Sequence, residues 1–400
     1  MSALRGSDRT PVTVAFAAFV LVGVNAGATG VLLPAQISDY AVSKTAIGAT
    51  FFTGSVGFVL ASLLAGPMVH RLGMRVALVV GATLTAAVGF YIATRPPFVA
   101  FVLVAIVTGF GAGVAESGFQ AYVVALPNST ALTNRLHAFF GVGALLGPLL
   151  ATWILGFASW RTVWFVLAAA EVPFVVAIWA TYPRHEPAAT AAHNSEQYHR
   201  GLLSSALRER TVLLGAALLA VYVGLEISMG NWGFSYLVQA RGEHRVLAGY
   251  VVSGYWLGLT LGRFLISPFA TRIGASAANM AFGCLTGVTV VAALTWALPG
   301  AASIPGFVLL GFFLGPIFPT AMAMVPNVTP ARLVPTAIGV MNAGSVVGGS
   351  VLPWLAGTLG QGTRASTLLP FALVLAVATM AIWWLIVTPR RQHPGYSAAA

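Results

Sequence analysis

The chain has 400 residues, of which 7% are charged and 58% hydrophobic, with a mean hydropathy of +0.88. A soluble domain carries roughly 25% charged residues, so this composition cannot cover a water-facing surface. The net charge of +11 does not mark a nucleic-acid binder, because no basic stripe with interleaved aromatics remains once the basic residues are assigned to loops.

In lipid every backbone group must be paired internally, which leaves helices or a closed barrel. The apolar runs are continuous and longer than barrel strands of ~10 residues. They have the length of spanning helices, ~20 residues each. Twelve are expected, at 12–34, 45–67, 76–94, 97–126, 132–156, 161–182, 211–238, 246–268, 276–298, 303–325, 332–359 and 364–387. The first follows Arg5 and Arg9 but is too long for a signal-peptide core. The single Cys284 excludes a disulfide framework and a cysteine-based metal site.

Between the sixth and seventh runs lies one polar stretch, 184–210, with Arg184, His185, Glu186, His193, Asn194, Ser195, Glu196, Gln197, Tyr198, His199 and Arg210. It reads as a linker with a short amphipathic piece at Leu202, Leu203 and Leu207. The irregular histidine spacing does not suit a metal site. The expected organisation is an N-terminal six-helix bundle (1–183), a cytoplasmic linker (184–210) and a C-terminal six-helix bundle with a short cytoplasmic tail (211–400).

With a cytoplasmic N-terminus, the inner side holds Arg5, Arg9, Arg71, Arg75, Arg135, Arg184, Arg200, Arg208, Arg210, Arg263, Arg272, Arg332, Arg390 and Arg391. The outer side holds only Lys44, Arg95, Arg161, Arg241, Arg245 and Arg364. That asymmetry is the positive-inside pattern and puts both termini in the cytoplasm. The arginine bias suggests a bacterial chain, hence a bacterial cytoplasmic membrane.

The second half repeats the first at an offset of 201 residues. Gly23, Gly48, Gly57, Gly73, Gly143, Gly147 and Gly156 match Gly224, Gly249, Gly258, Gly274, Gly344, Gly348 and Gly357. Chance would pair about 2.4 glycines at one offset. Pro67, Arg71 and Trp153 match Pro268, Arg272 and Trp354. Two repeats in a chain this apolar are the plan of a secondary transporter, with its substrate site between the halves.

The loop after the second run reads Gly66-Pro67-Met68-Val69-His70-Arg71-Leu72-Gly73-Met74-Arg75. A tight reversal there needs glycine where the backbone turns left-handed. The segment resembles the signature loop of the major facilitator superfamily, G-x-L-x-D-R-x-G-R-R, with His70 at the usual Asp and Met74 where Arg is common. Further segments narrow the resemblance: Asn134 to Pro148, Gly224 to Trp232, Tyr255 to Phe264, and Gly315 to Thr320. Together they look like the fucose permease-like branch. The resemblance implies twelve helices in two pseudo-symmetric six-helix bundles, a cytoplasmic gate at Gly66, His70, Arg71, Gly73, Arg75, Arg135 and Arg272, and a weakened latch at His70.

Ionisable groups inside a span are costly and are functional candidates. Three acids qualify: Glu116, Glu171 and Glu226. Glu226 is the repeat partner of Asn25, and both fall near mid-span. Glu116 stands four residues from Gln120, so both can face one cavity. Glu116 also matches, in type and place, the fourth-span acid of fucose permease-type symporters. Their first-span acid is missing here, since 12–34 contains none. Glu116 and Glu226 are therefore the proton-coupling candidates. Asn25, Gln120, Asn231, Trp232, Tyr255, Trp256 and Asn342 are the substrate-binding candidates, with Gln36 beside them. Arg263 reads as a snorkelling residue, and Arg135 and His137 as gate or packing residues.

No P-loop, triad or HExxH motif is present, so the chain is not expected to be an enzyme or to hold a cofactor or metal. The expected function is secondary transport of a small solute by alternating access, with proton-coupled uptake of a sugar or other small polar solute preferred. Proton-driven efflux of drugs or metabolites, and a non-transporting sensor of the same fold, remain open. The expected partners are the small-molecule substrate, protons and the lipid bilayer, and the chain is expected to act as a monomer.

Overall fold

The computed structural model describes residues 6–127, 129–183, 202–298, 300–362 and 365–388. Among them there are helices and no strand. Twelve long elements follow in order: α1 (Gly6–Tyr40), α2 (Lys44–Leu72), α3 (Met74–Ala93), α4 (Phe98–Val124), α5 (Ser129–Leu155), α6 (Trp160–Thr181), α7 (Arg210–Gln239), α8 (Arg245–Arg272), α9 (Ala277–Ala297), α10 (Gly300–Val328), α11 (Val334–Gly362) and α12 (Leu368–Val387). All but α8 are apolar and long enough to cross a membrane on composition alone. Residues 202–206 form a short helix where the amphipathic piece is expected. The linker residues 184–201 lie outside the described residues, as do Arg5, Arg364, Arg390 and Arg391.

The structure differs from the expected spans in two instructive ways. The first helix runs from Gly6, before the apolar run, to Tyr40, past it. A helix leaving lipid keeps its backbone bonds, so hydropathy marks the slab and not the helix end. The tenth span is two helices, Ser303–Leu314 and Ile317–Val328, interrupted at Gly315 and Pro316. Pro316 and Pro319 have no N–H to continue the ladder.

The 201-residue repeat becomes symmetric packing. In the first half α1 lies on α5: a Cβ on Gly147 would stand 2.6 Å from the Ala28 nitrogen. In the second half α7 lies on α11: a Cβ on Gly348 would stand 2.5 Å from the Ala220 Cα. Lipid tails are as apolar as leucine, so such close backbone approach is what holds helices together. The two loop glycines are also equivalent, with φ of 82° at Gly73 and 70° at Gly274. Both lie in the left-handed region that favours glycine.

Contacts joining the halves cluster towards the end of the molecule that carries Lys44, the expected outer end. Lys44 N donates to Gln361 Oε1 at 2.5 Å, and its Nζ donates to Gln239 Oε1 at 2.9 Å and to the Gly360 carbonyl at 3.4 Å. Phe52 meets Trp354 edge-on and Phe51 meets Trp232 edge-on. The Ser55 and Ser350 hydroxyls are bonded, and Ser253 Oγ donates to the Leu145 carbonyl at 2.7 Å. At the opposite end His70, Arg71, Arg135 and Arg272 are exposed and form no hydrogen bond or ion pair among the described residues.

Two predictions follow from this packing. Gly147→Val and Gly348→Val should each destabilise the protein by about 1–3 kcal/mol or more through overpacking. Gly66→Ala, whose Cβ meets nothing within 4 Å, should leave the melting temperature in detergent unchanged. Equal effects of all three would contradict the packing account. Lys44→Ala removes the latch between halves, so spin labels at exposed Leu72 and Ile273 should move closer as that end closes more often. An unchanged distance distribution would mean that Lys44 does not hold the halves.

Candidate functional site

The C-terminal half builds a charged site from the broken α10. The carbonyl of Gly315 would normally pair with the nitrogen of residue 319, but that residue is proline. Arg263 Nε on α8 takes this oxygen at 3.3 Å. The Tyr222 hydroxyl on α7 takes the neighbouring Leu314 carbonyl at 3.0 Å. Held this way, Arg263 points Nη2 at Glu226 Oε1, 3.4 Å away. The Tyr255 hydroxyl donates to the Glu226 backbone carbonyl at 2.9 Å. The Glu226 side chain is 11% exposed and that of Arg263 is 29% exposed. Removing one partner from a buried pair leaves the other charge uncompensated, at about 3–5 kcal/mol.

Arg263 is thus an ion-pair partner and not a snorkelling residue. It lies nine residues before Arg272, the last residue of α8, or roughly 13 Å along the axis at 1.5 Å per residue. The expected span ends at 268, only five residues on, which places Arg263 nearer the interface than the helix does.

In the N-terminal half Glu116 on α4 forms no hydrogen bond or ion pair among the described residues. Gln120, one turn on, does not turn to Glu116. Its Nε2 lies 2.9 Å from His137 Nε2 on α5, and the His137 ring stands edge-on to Phe19. His137 is exposed. One turn on from His137, a Cβ on Gly141 would stand 2.6 Å from Thr260 Oγ1, so this part of α5 packs on α8, the helix of Arg263. Asn25 is half-buried, its amide bonded to the Leu21 carbonyl at 3.3 Å. Glu171 on α6 is half-buried and forms no such bond among the described residues.

Several aromatic candidates are buried in packing. Trp232 is 4% exposed and donates Nε1 to the Pro353 carbonyl at 2.7 Å. Trp256 covers Gly230, and its Nε1 is buried without a partner among the described residues. Asn231 is buried where α7 crosses α1 at Gly30. Asn342 is exposed on α11. Of the loop residues, Arg75 bonds the Tyr182 carbonyl at the end of α6 and stacks over Trp179, so it ties α3 to α6 within one half. Tyr222, Lys44, Gln239 and Gln361 were missed by sequence reasoning. Only Lys44, as the sole lysine of the chain, carried any signal.

The sequence and the fold match known proteins along most of the chain. The Major Facilitator Superfamily model matches residues 15–247 and again 227–399. Among curated proteins, the glucose/mannose transporter GlcP of Bacillus subtilis (strain 168) is 22% identical over 88% of this chain and 89% of its own. The glucose/galactose transporter of Brucella abortus (strain 2308) is 25% identical over 82% of each chain. Bypass of stop codon protein 6 of Saccharomyces cerevisiae (strain ATCC 204508 / S288c) is 26% identical over 92% of this chain and 80% of its own. Among solved structures, the nucleoside transporter NupG (D323A mutant) superposes with a TM-score of 0.79 at 16% identity, covering 93% of this chain and 99% of that one. The D-xylose-proton symporter gives 0.75 at 15% identity, covering 96% and 98%. The chain belongs to the Major Facilitator Superfamily.

Proposed function

We propose that this protein takes up a small polar solute of the hexose type together with protons, by alternating access of a site between its two halves. The observation that carries the reading is the unequal treatment of two acids inside the membrane. Glu226 is neutralised by Arg263, whereas Glu116 has no partner among the described residues. A partnerless carboxyl within lipid is costly when charged, so it suits a group that binds a proton before the protein reorients. The Glu226–Arg263 pair offers both acceptors and donors to a hydroxylated solute without a net charge. Two relatives are named as transporters of glucose with mannose or galactose, which supports the solute class.

In the orientation that places the arginine-rich loops inside, the exposed Arg71 and Arg272 end is cytoplasmic and the Lys44 latch closes the outside. The conformation is then inward-facing, the membrane is the bacterial cytoplasmic membrane, and both termini are cytoplasmic. One chain supplies both halves of the site, so the monomer is the working unit. No catalytic step or cofactor is required.

Proteoliposome uptake with Glu116→Gln and Glu226→Gln tests the assignment. Glu116→Gln should lose gradient-driven accumulation of hexose while keeping hexose exchange. Glu226→Gln should weaken both through the solute site. Normal accumulation by both variants would remove the mechanism, and solute binding without any movement by the wild type would favour a sensor. A reporter fused after Arg391 should be active only in the cytoplasm; an external reporter would overturn the topology.

A further inference from the structure

Within the N-terminal half, a cavity of about 230 Å³ lies between α1, α2, α3, α4 and α6. Every residue lining it belongs to that half, including Ile92 of α3 and Trp164 of α6. Phe51 lines it and meets Trp232 of the other half edge-on. The cavity shares no residue with the Glu226–Arg263 site.

Two polar groups in its wall are without partners. Trp164 Nε1 is buried and donates to nothing among the described residues. Gln36 is 3% exposed, and its amide makes no hydrogen bond among the described residues. Buried polar groups in folded proteins are almost always paired, so such exceptions facing a roomy space point to an occupant. The Thr29, Thr50 and Thr108 hydroxyls each donate to a carbonyl of their own chain segment, Asn25, Ile47 and Val104. Their protons are spent and their oxygens remain as acceptors.

The remaining wall is apolar and partly aromatic, with Leu32, Leu33, Phe51 and Phe101. No lining residue is charged, so a charged ligand would lose its hydration without compensation. A sugar would present more hydroxyls than this wall can pair. An apolar cavity of about 150 Å³ holds benzene, so this one holds a single substituted ring.

We propose that this cavity is a second binding site, separate from the central pathway, for a small uncharged aromatic alcohol. The ring lies against Phe51 and Phe101. The hydroxyl oxygen accepts from Trp164 Nε1, and its proton goes to the Gln36 carbonyl oxygen.

Titration of the purified full chain with p-cresol tests this, read as melting temperature and as binding stoichiometry. The wild type should bind one p-cresol saturably. Trp164→Phe keeps the ring and removes only the donor, and should weaken binding about three- to ten-fold. Ala105→Leu fills the cavity and should abolish binding while leaving hexose uptake intact. If that variant does not fold, Trp164→Phe alone decides. Absence of saturable binding by the wild type, as for a cavity that holds only water, would overturn the proposal. So would unchanged affinity in Trp164→Phe, or displacement of p-cresol by hexose in competition for one site.

Discussion

A charge or hydrogen-bonding group within a bilayer must find its partner in the protein, because lipid offers none. The architecture follows from that constraint. It forces the backbone into helices, and it makes each irregularity in a helix a point where something else must bond. The break in α10 is the main example. Proline at position 319 orphans the Gly315 carbonyl, Arg263 takes it, and the guanidinium so fixed becomes the counter-charge of Glu226. A backbone defect thereby sets the position of a charged pair. On the other side Glu116 is left without such a partner among the described residues, and this difference between the halves is what a coupled transporter can use.

The same solvent explains the glycines. Helices in lipid gain nothing by hiding apolar surface from one another, so close backbone approach does the joining. Gly147 of α5 against α1 and Gly348 of α11 against α7 show the same solution in both halves. Contacts between the halves add side chains such as Lys44, Gln239, Gln361 and Phe51 to one close backbone approach, where a Cβ on Gly30 of α1 would stand 2.5 Å from the Gly230 carbonyl of α7. Tightly packed halves joined by side-chain contacts and one smooth glycine crossing are suited to rocking, since each half moves without repacking its own core.

The helices and the duplication were legible because hydropathy and glycine spacing are local or strictly periodic. The left-handed turns at Gly73 and Gly274 were legible for the same reason, being local demands of a tight loop. The pairings were not. Gln120 stands beside Glu116 on one helix face, yet its partner is His137 on the next helix, which depends on how α4 and α5 are rotated. Arg263 reads as an interface residue because the apolar run ends at 268, whereas the helix continues to Arg272. Lys44 and Gln361 are separated by most of the chain, and no short-range pattern links them. Trp232, Tyr255 and Trp256 had the composition of a sugar platform, while the structure buries them in helix packing. Aromatic content alone does not separate those uses.

The account stands or falls on whether a proton gradient drives solute through this chain. In liposomes containing the purified protein and an imposed inward proton gradient, labelled hexose should accumulate above its external concentration, and collapsing the gradient with a protonophore should release the excess. Hexose that merely equilibrates, with no response to the gradient or its collapse, would contradict proton coupling.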